Sequence, residues 1–216
     1  MQERLFAMFR KMIVITLLLG LMAVVPSYGA GVSEVTRDAR NLADWVLNST
    51  DHQNLPFVII DKRHAQVFVF RPDGSLHGAT SALLGVSVGD HTAPGVGKKK
   101  LSEISVVERT TPAGRFEVDL GRDTRNSEVL WIDYDSGLSM HIVVTGNVAE
   151  KRAQRLASNQ PTDRRITYGC VNVPGKFYKE VILPTFKGSN GIVYIIPEVE
   201  SIKDVFGSEA FYFSQR

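Results

Sequence analysis

Phe57-Val58-Ile59-Ile60-Asp61-Lys62-Arg63-His64-Ala65-Gln66-Val67-Phe68-Val69-Phe70 reads as two short strands joined by a charged turn. β-Branched and aromatic residues fill both arms, Phe57 to Ile60 and Gln66 to Arg71, and such residues suit a pleated, packed surface. Runs of the same kind recur downstream: Ala82 to Val88, Arg115 to Leu120, Val129 to Tyr134, Leu138 to Val144 and Ile192 to Ile196. Turn signals separate them, notably Arg71-Pro72-Asp73-Gly74 and Asp135-Ser136-Gly137, whose residues tolerate the dihedrals that tight turns require. A mostly-β domain follows from this pattern.

Helical spacing is confined to three places. Val35, Ala39, Leu42, Ala43, Val46 and Leu47 recur on one face of a helix over 33–48, with Ser33 as its cap and Asn48-Ser49 at its end. A second patch runs from Val148 to Ala157, and a third from Pro174 to Leu183, with proline in its first turn. The third directly follows Thr167-Tyr168-Gly169-Cys170-Val171-Asn172, which predicts that Cys170 sits on or beside a strand-to-helix turn where backbone N–H groups converge.

The chain's start reads as an export signal over 1–29, either cleaved or kept as an uncut N-terminal anchor. Arg4, Arg10 and Lys11 precede an uncharged stretch from Met12 to Val25, followed by small residues around Gly29 to Gly31. That stretch is shorter than the roughly 20 residues a membrane span needs, so no stable membrane insertion is expected once it is removed. Without Arg4, Arg10, Lys11 and Glu3, the 25 basic and 23 acidic residues of the 216-residue chain become 22 of each. A balanced charge offers no footprint for nucleic acid, whose binding depends on neutralising phosphates. What remains is enough for one domain with a sizeable core. The tail, 198–216, carries Phe206, Phe211, Tyr212 and Phe213 and is expected to pack against that domain. Oligomeric state is not legible.

Cys170 is the single cysteine. In an exported protein a lone thiol cannot close an intramolecular disulfide, so the common reason for cysteine there is absent and chemistry is the alternative to an inert core role. A thiol of pKa about 8.5 is mostly protonated at neutral pH, and the thiolate is the attacking species. A base is therefore required, and histidine is the natural one. His52, His64 and His77 lie in or near polar turns and read as solvated, while His91 stands in a glycine-rich loop. His141 differs: Met140-His141-Ile142-Val143-Val144 places it within an otherwise apolar strand.

Around these two residues the sequence resembles the L,D-transpeptidase catalytic domain, also called YkuD-like. Thr167, Gly169, Cys170, Val171 and Asn172 match that family's Ser/Thr-His-Gly-Cys-hydrophobic-Arg/Asn string, and Thr111-Pro112-Ala113-Gly114-Arg115-Phe116 is similar to its Thr-Pro-x-Gly-x-Phe segment. Ser87-Val88-Gly89 and the opening hairpin fit as well, so the resemblance covers 56–197. Two departures stand out. Tyr168 replaces the family's histidine, and 28 residues separate His141 from Cys170, more than the family usually shows; surface insertions of this kind cost little closure entropy.

The resemblance implies a β-sandwich or barrel with a few short helices, preceded by the N-terminal helix, located in the periplasm or exported to the cell envelope. It implies acyl transfer on peptidoglycan stem peptides, with release of D-alanine and transfer to an amine, which forms crosslinks. Cys170 would be the nucleophile and His141 the acid-base residue. The backbone N–H groups of Tyr168, Gly169 and Cys170 would form the oxyanion hole, and Asn172 would contact substrate. The residues themselves offer two readings of Arg164-Arg165: a solvated pair, or a site for a substrate carboxylate with Arg165 as the substrate contact. A carboxypeptidase or hydrolase on the same fold, or a non-catalytic wall-binding module, remain alternatives. No cofactor is implied, and no metal motif such as HExxH or paired Cys-x-x-Cys appears.

Overall fold

A computed structural model describes residues 34–208 and Ala210. The calls on the export signal, on Ser33 and on Phe211 to Phe213 lie outside these residues. Among the described residues no helix is long and apolar enough to cross a membrane.

The elements run α1 (Arg37–Ser49), β1 (Phe57–Asp61), β2 (Gln66–Phe70), β3 (Leu76–Ser81), β4 (Leu84–Gly85), β5 (Gly114–Arg122), β6 (Glu128–Asp133), β7 (Leu138–Ile142), α2 (Arg152–Ala157), β8 (Arg165–Thr167) and β9 (Val171–Val173). α3 (Gly175–Phe177) then passes through a π-helical turn (Tyr178–Ile182) into α4 (Leu183–Phe186), followed by β10 (Gly191–Ile196) and α5 (Ile202–Phe206). Eight strands form one sheet in the order β3-β2-β1-β10-β5-β6-β7-β9. Leu83, just past β3, exchanges both backbone hydrogen bonds with Asn172 of β9, at 2.8 and 2.9 Å. The two ends of the sheet are thus tied together, and the sheet nearly closes. The fold is mostly β, as the sequence pattern implies.

β1 and β10 are buried along their whole length because each is covered on both sides. Val58, Ile60, Val193 and Ile195 point into the interior with Leu130, Met140, Val171 and the helical residues Phe177 and Val181. Phe57, Ile59, Ile192 and Tyr194 point the other way, under Leu42, Trp45 and Val46 of α1. Successive side chains of a strand face opposite sides, so two-sided burial turns the usual alternation into a continuous apolar run.

Thr36 caps α1: its hydroxyl accepts from Ala39 N–H and donates to Asp61 at 2.7 Å. Phe206 of α5 packs on Trp45 and Tyr194, so the described part of the tail does lie against the domain. His52, read as solvated, is 3% exposed. Its ring nitrogens face the carbonyls of Val46 and Pro72 at 3.3 and 3.1 Å, which joins the end of α1 to the turn after β2. The run from Ala82 to Val88 is corrected as well. It holds only the two-residue β4; Ala82, Leu83 and Leu84 are buried where the chain crosses from β3 to β9, whereas Val88 is exposed. The strand itself is the more polar Leu76–Ser81, set by pairing with β2.

Candidate active site

β7 and β9 pair in parallel with Met140 opposite Val171 and His141 opposite Asn172. Met140 and Val171 belong to the interior core, so the alternate residues, Ser139 and His141 on one strand and Cys170 and Asn172 beside the other, share the outer face. The long sequence detour therefore ends with thiol and imidazole on neighbouring strands. The Cys170 thiol is half-buried, donates to the Gly137 carbonyl at 3.5 Å and meets the Ser139 hydroxyl at 3.7 Å. Ser139 was not singled out from the sequence; its place two residues before His141 on the same strand face is the signal that could have found it.

The expected strand-to-helix turn is corrected. Cys170 stands between β8 and β9, and the helix begins at Gly175, five residues on. The surroundings of Cys170 come from the strands instead. Burial, the largest influence on the thiol, pushes its pKa up, but hydrogen bonding and charge from His141, helped by Ser139, bring it below its ordinary value. For His141, burial pushes down, yet its hydrogen bond to Cys170, the attraction of the thiolate and the Ile142 carbonyl leave it raised. Both shifts favour thiolate and imidazolium over the neutral pair.

His141 Nδ1 faces the Ile142 carbonyl at 2.9 Å, and Nε2 faces the Asn172 side-chain nitrogen at 3.0 Å. Asn172 Oδ1 accepts from Arg152 at 2.9 Å. Asn172 is 1% exposed, so it contacts His141 rather than a substrate, contrary to the sequence expectation.

The loop carrying Cys170 is held at both ends by threonine hydroxyls. Thr111 Oγ1 donates to the Gly169 carbonyl at 2.6 Å and accepts from Gly85 N–H at 2.9 Å. Thr167 Oγ1 donates to the Cys170 carbonyl at 2.7 Å and accepts from Gly169 N–H at 3.2 Å. The Gly169 N–H is therefore engaged internally, which removes it from the expected oxyanion hole. In a trans peptide C=O and N–H point in opposite directions, so by fixing the Gly169 carbonyl Thr111 aims the Cys170 N–H the other way. Gly169 has φ of 130°, and a Cβ there would lie 2.7 Å from the Thr110 carbonyl; glycine meets both demands.

Tyr168 lies under the Arg109 guanidinium, 4.0 Å from the ring centre, and Arg109 is anchored on the Ile104 carbonyl at 2.9 and 3.1 Å. This stack joins the cysteine loop to the irregular segment 96–108, which roofs a cleft of about 140 Å³ lined by Cys170, Gly169, Tyr168, Leu138, Val96 and Ile104. Lys99, from the Gly97-to-Lys100 stretch read as a solvated loop, also lines it and pairs with Glu108. A second cleft, about 340 Å³, opens on the His141 side and is lined by Arg125, Glu128, Val129, Tyr178 and Lys179. Cys170 thus lines one cleft and His141 the other.

Arg165 is also corrected. Its guanidinium contacts the Gly85 and Lys62 carbonyls at 3.3 and 3.0 Å and pairs with Glu198, so no free fork faces the cleft. It belongs to a buried cluster in which Lys62 donates to Asp90 and to the carbonyls of Gly89 and Thr111 at 2.7 and 2.9 Å. Asp90 in turn accepts from the backbone N–H groups of Glu198, Val199 and Glu200. Through Thr111 this cluster buttresses the cysteine loop from behind. Arg164, read as solvated, is 2% exposed and donates to the His64, Ala65 and Ser158 carbonyls. Of the other histidines, His64 pairs with Asp61, His77 with Arg71 and His91 with Glu200.

No family model matches the sequence, and no curated protein does. Solved structures similar to it include the catalytic domain of an Enterococcus faecium L,D-transpeptidase, at 18% identity over 65% of this chain and 96% of that one, with a TM-score of 0.38. An L,D-transpeptidase (Yku) from Stackebrandtia nassauensis is 12% identical over 81% of this chain and 70% of its own, with a TM-score of 0.41. The helical cell shape determining protein Pgp2 from Campylobacter jejuni is 12% identical over 81% of this chain and 60% of its own, with a TM-score of 0.46.

Proposed function

We propose that this protein is an exported cysteine acyltransferase of the L,D-transpeptidase kind, acting on peptidoglycan stem peptides through a catalytic domain over 56–197. The observation that carries the reading is the meeting of Cys170 and His141 on adjacent strands at the mouth of two clefts, within a string that resembles that family's motif. A buried, inert cysteine would need neither the histidine nor the opening.

The chemistry follows from the geometry. The thiol proton passes to His141, and the Cys170 sulfur attacks the carbonyl of the stem peptide's third residue. The Cys170 N–H, oriented by Thr111, and the Tyr168 N–H are the candidates to stabilise the oxyanion; loss of one such donor commonly costs about 3 kcal/mol of barrier. Collapse breaks the C–N bond, His141 returns the proton to departing D-alanine, and a thioester remains. An amine from a neighbouring stem then attacks the thioester and regenerates the thiol. Water in place of that amine gives the carboxypeptidase outcome.

Incubation with disaccharide tetrapeptides is expected to release D-alanine and form crosslinked dimers, with an acyl adduct on Cys170 by intact mass. Trimmed tripeptides without dimers would indicate hydrolysis. Binding to sacculi with neither turnover nor acylation, and no difference between wild type and Cys170→Ala, would overturn the enzyme reading and leave a wall-binding module, for which Tyr168 in place of histidine is the supporting observation.

A further inference from the structure

The segment 147–165 lengthens the path between His141 and Cys170, and it returns one side chain to the pair. Arg152, 13% exposed at its side chain and ion-paired to Glu150, donates Nη1 to Asn172 Oδ1 at 2.9 Å. A guanidinium has only donors, so the amide oxygen of Asn172 must face Arg152 and its NH2 must face His141. A donor 3.0 Å from Nε2 requires a lone pair there. The Ile142 carbonyl, 2.9 Å from Nδ1, requires a proton on that nitrogen. Both constraints select one neutral ring, protonated at Nδ1, with its single basic site already accepting from Asn172.

We infer that Arg152 is a positioning residue: by fixing the Asn172 amide it keeps the His141 Nε2 lone pair engaged and so opposes formation of the thiolate–imidazolium pair. Transfer of the thiol proton to Nε2 places N–H against N–H unless the amide turns over, and turning it over gives up the Arg152 bond. The mutual attraction of Cys170 and His141 drives toward the ion pair, while the Arg152–Asn172 clamp opposes it. Other charged groups lining the second cleft with His141 are Arg125, Asp123, Glu128 and Lys179; Arg125 also disfavours the imidazolium. The bearing of the clamp on catalysis rests on the acyl-transfer reading, whereas the hydrogen-bond assignment does not, so its test uses the free protein without substrate.

Alkylation of Cys170 by iodoacetamide, followed by intact mass from about pH 5 to 8, reads the thiolate directly. Asn172→Asp keeps shape and the Arg152 contact but offers an acceptor to protonated Nε2; alkylation at about pH 6 is expected to rise about tenfold, the effect of one pKa unit. Arg152→Ala frees the amide and is expected to act in the same direction, while Arg152→Lys, which keeps a donor and the charge, stays within about twofold of wild type. Nitrogen-15 spectra of labelled histidine should show the neutral wild-type His141 protonated at Nδ1. A wild-type ring protonated at Nε2, an Asn172→Asp rate equal to wild type, or equal acceleration by Arg152→Ala and Arg152→Lys would overturn the inference. Should Arg152→Ala fail to fold, the Asn172→Asp comparison decides alone.

Discussion

The two faces of this sheet are built on different terms. Where β1 and β10 lie under α1, order comes from many interchangeable apolar contacts among residues such as Phe57, Ile59, Leu42 and Tyr194. Where β7 meets β9, order comes from a few hydrogen bonds that each have one possible partner: Thr111 to Gly169, Thr167 to Cys170, Arg152 to Asn172. A packed apolar face tolerates exchange of shape for shape. A hydrogen-bonded loop does not, since one lost partner leaves a buried polar group unsatisfied. The difference separates a region that determines whether the chain folds from one that determines what the folded chain does.

The sharpest test of that separation is to remove the chemistry and leave the fold. Cys170→Ala should abolish acyl-adduct formation, and His141→Ala should slow acylation by about 10²–10⁴-fold, the usual contribution of a positioned acid-base group. Neither should move the thermal midpoint by more than a few degrees. Mass spectrometry and a melting curve on the same samples check both halves, and a large loss of stability in either variant would mean that the site also carries the fold.

The converse variant lies on the other face. Leu42 of α1 is 2% exposed, and Leu42→Ala should cost about 2–5 kcal/mol of stability by urea unfolding, the range for emptying a leucine site in a packed core. Alkylation of Cys170 in the folded fraction should stay unchanged. Altered alkylation kinetics would show that the α1 face and the site are mechanically coupled.

What the sequence discloses follows the same division. The runs at Phe57 and Ile192 are legible as strands because two-sided burial demands unbroken apolar residues, and Cys170 and His141 are legible because each is out of place for its setting. β3, β8 and β9 are not. The six residues of β3 are too polar to stand out and are set by the hairpin with β2, whereas β8 and β9 are three residues each and are defined by partners distant in the chain, as Asn172 is by Leu83. The same reason hides the roles of Thr111, Arg152 and Arg165. A polar residue in a loop looks solvated until long-range contacts bury it, and His52 and Arg164 show how completely that happens. The strand-to-helix expectation for Cys170 failed on a single short strand: Val171–Val173 intervenes because β7 needs an outer neighbour.

Between the two regimes stands the buried cluster behind the cysteine loop. Burial alone would raise the Asp90 carboxyl, but the Lys62 ammonium and three backbone N–H groups hold it down from 3.8 to about 2. A depressed folded-state pKa gives stability that is complete above the unfolded value and is lost as pH falls through the folded one. The Asp90 contribution, about 2 kcal/mol by linkage, should therefore fade between about pH 4 and 2. Urea unfolding across that window should show a steeper decline in wild type than in Asp90→Asn. Equal slopes would mean that other carboxylates dominate the acid response.

The smallest expected effect bears on Tyr168, where the chain departs from the family it resembles. A cation stacked on an aromatic ring contributes about 0.5–2 kcal/mol, more as the pair is withdrawn from water. Arg109 keeps its bonds to the Ile104 carbonyl without the ring, so Tyr168→Leu should loosen the roof segment from the cysteine loop rather than unfold it. Hydrogen exchange over 101–108 should speed up by a factor of a few, while exchange in β1 and β10 stays at the wild-type rate, and bulky maleimides should reach Cys170 faster. Tyr168→Phe keeps the ring face and should change neither. If phenylalanine and leucine behave alike, the stack contributes nothing to the roof. The hydroxyl-anchored loop would then be the sole support of the site, and the contrast between the two faces of the sheet would be sharper than the contacts suggest.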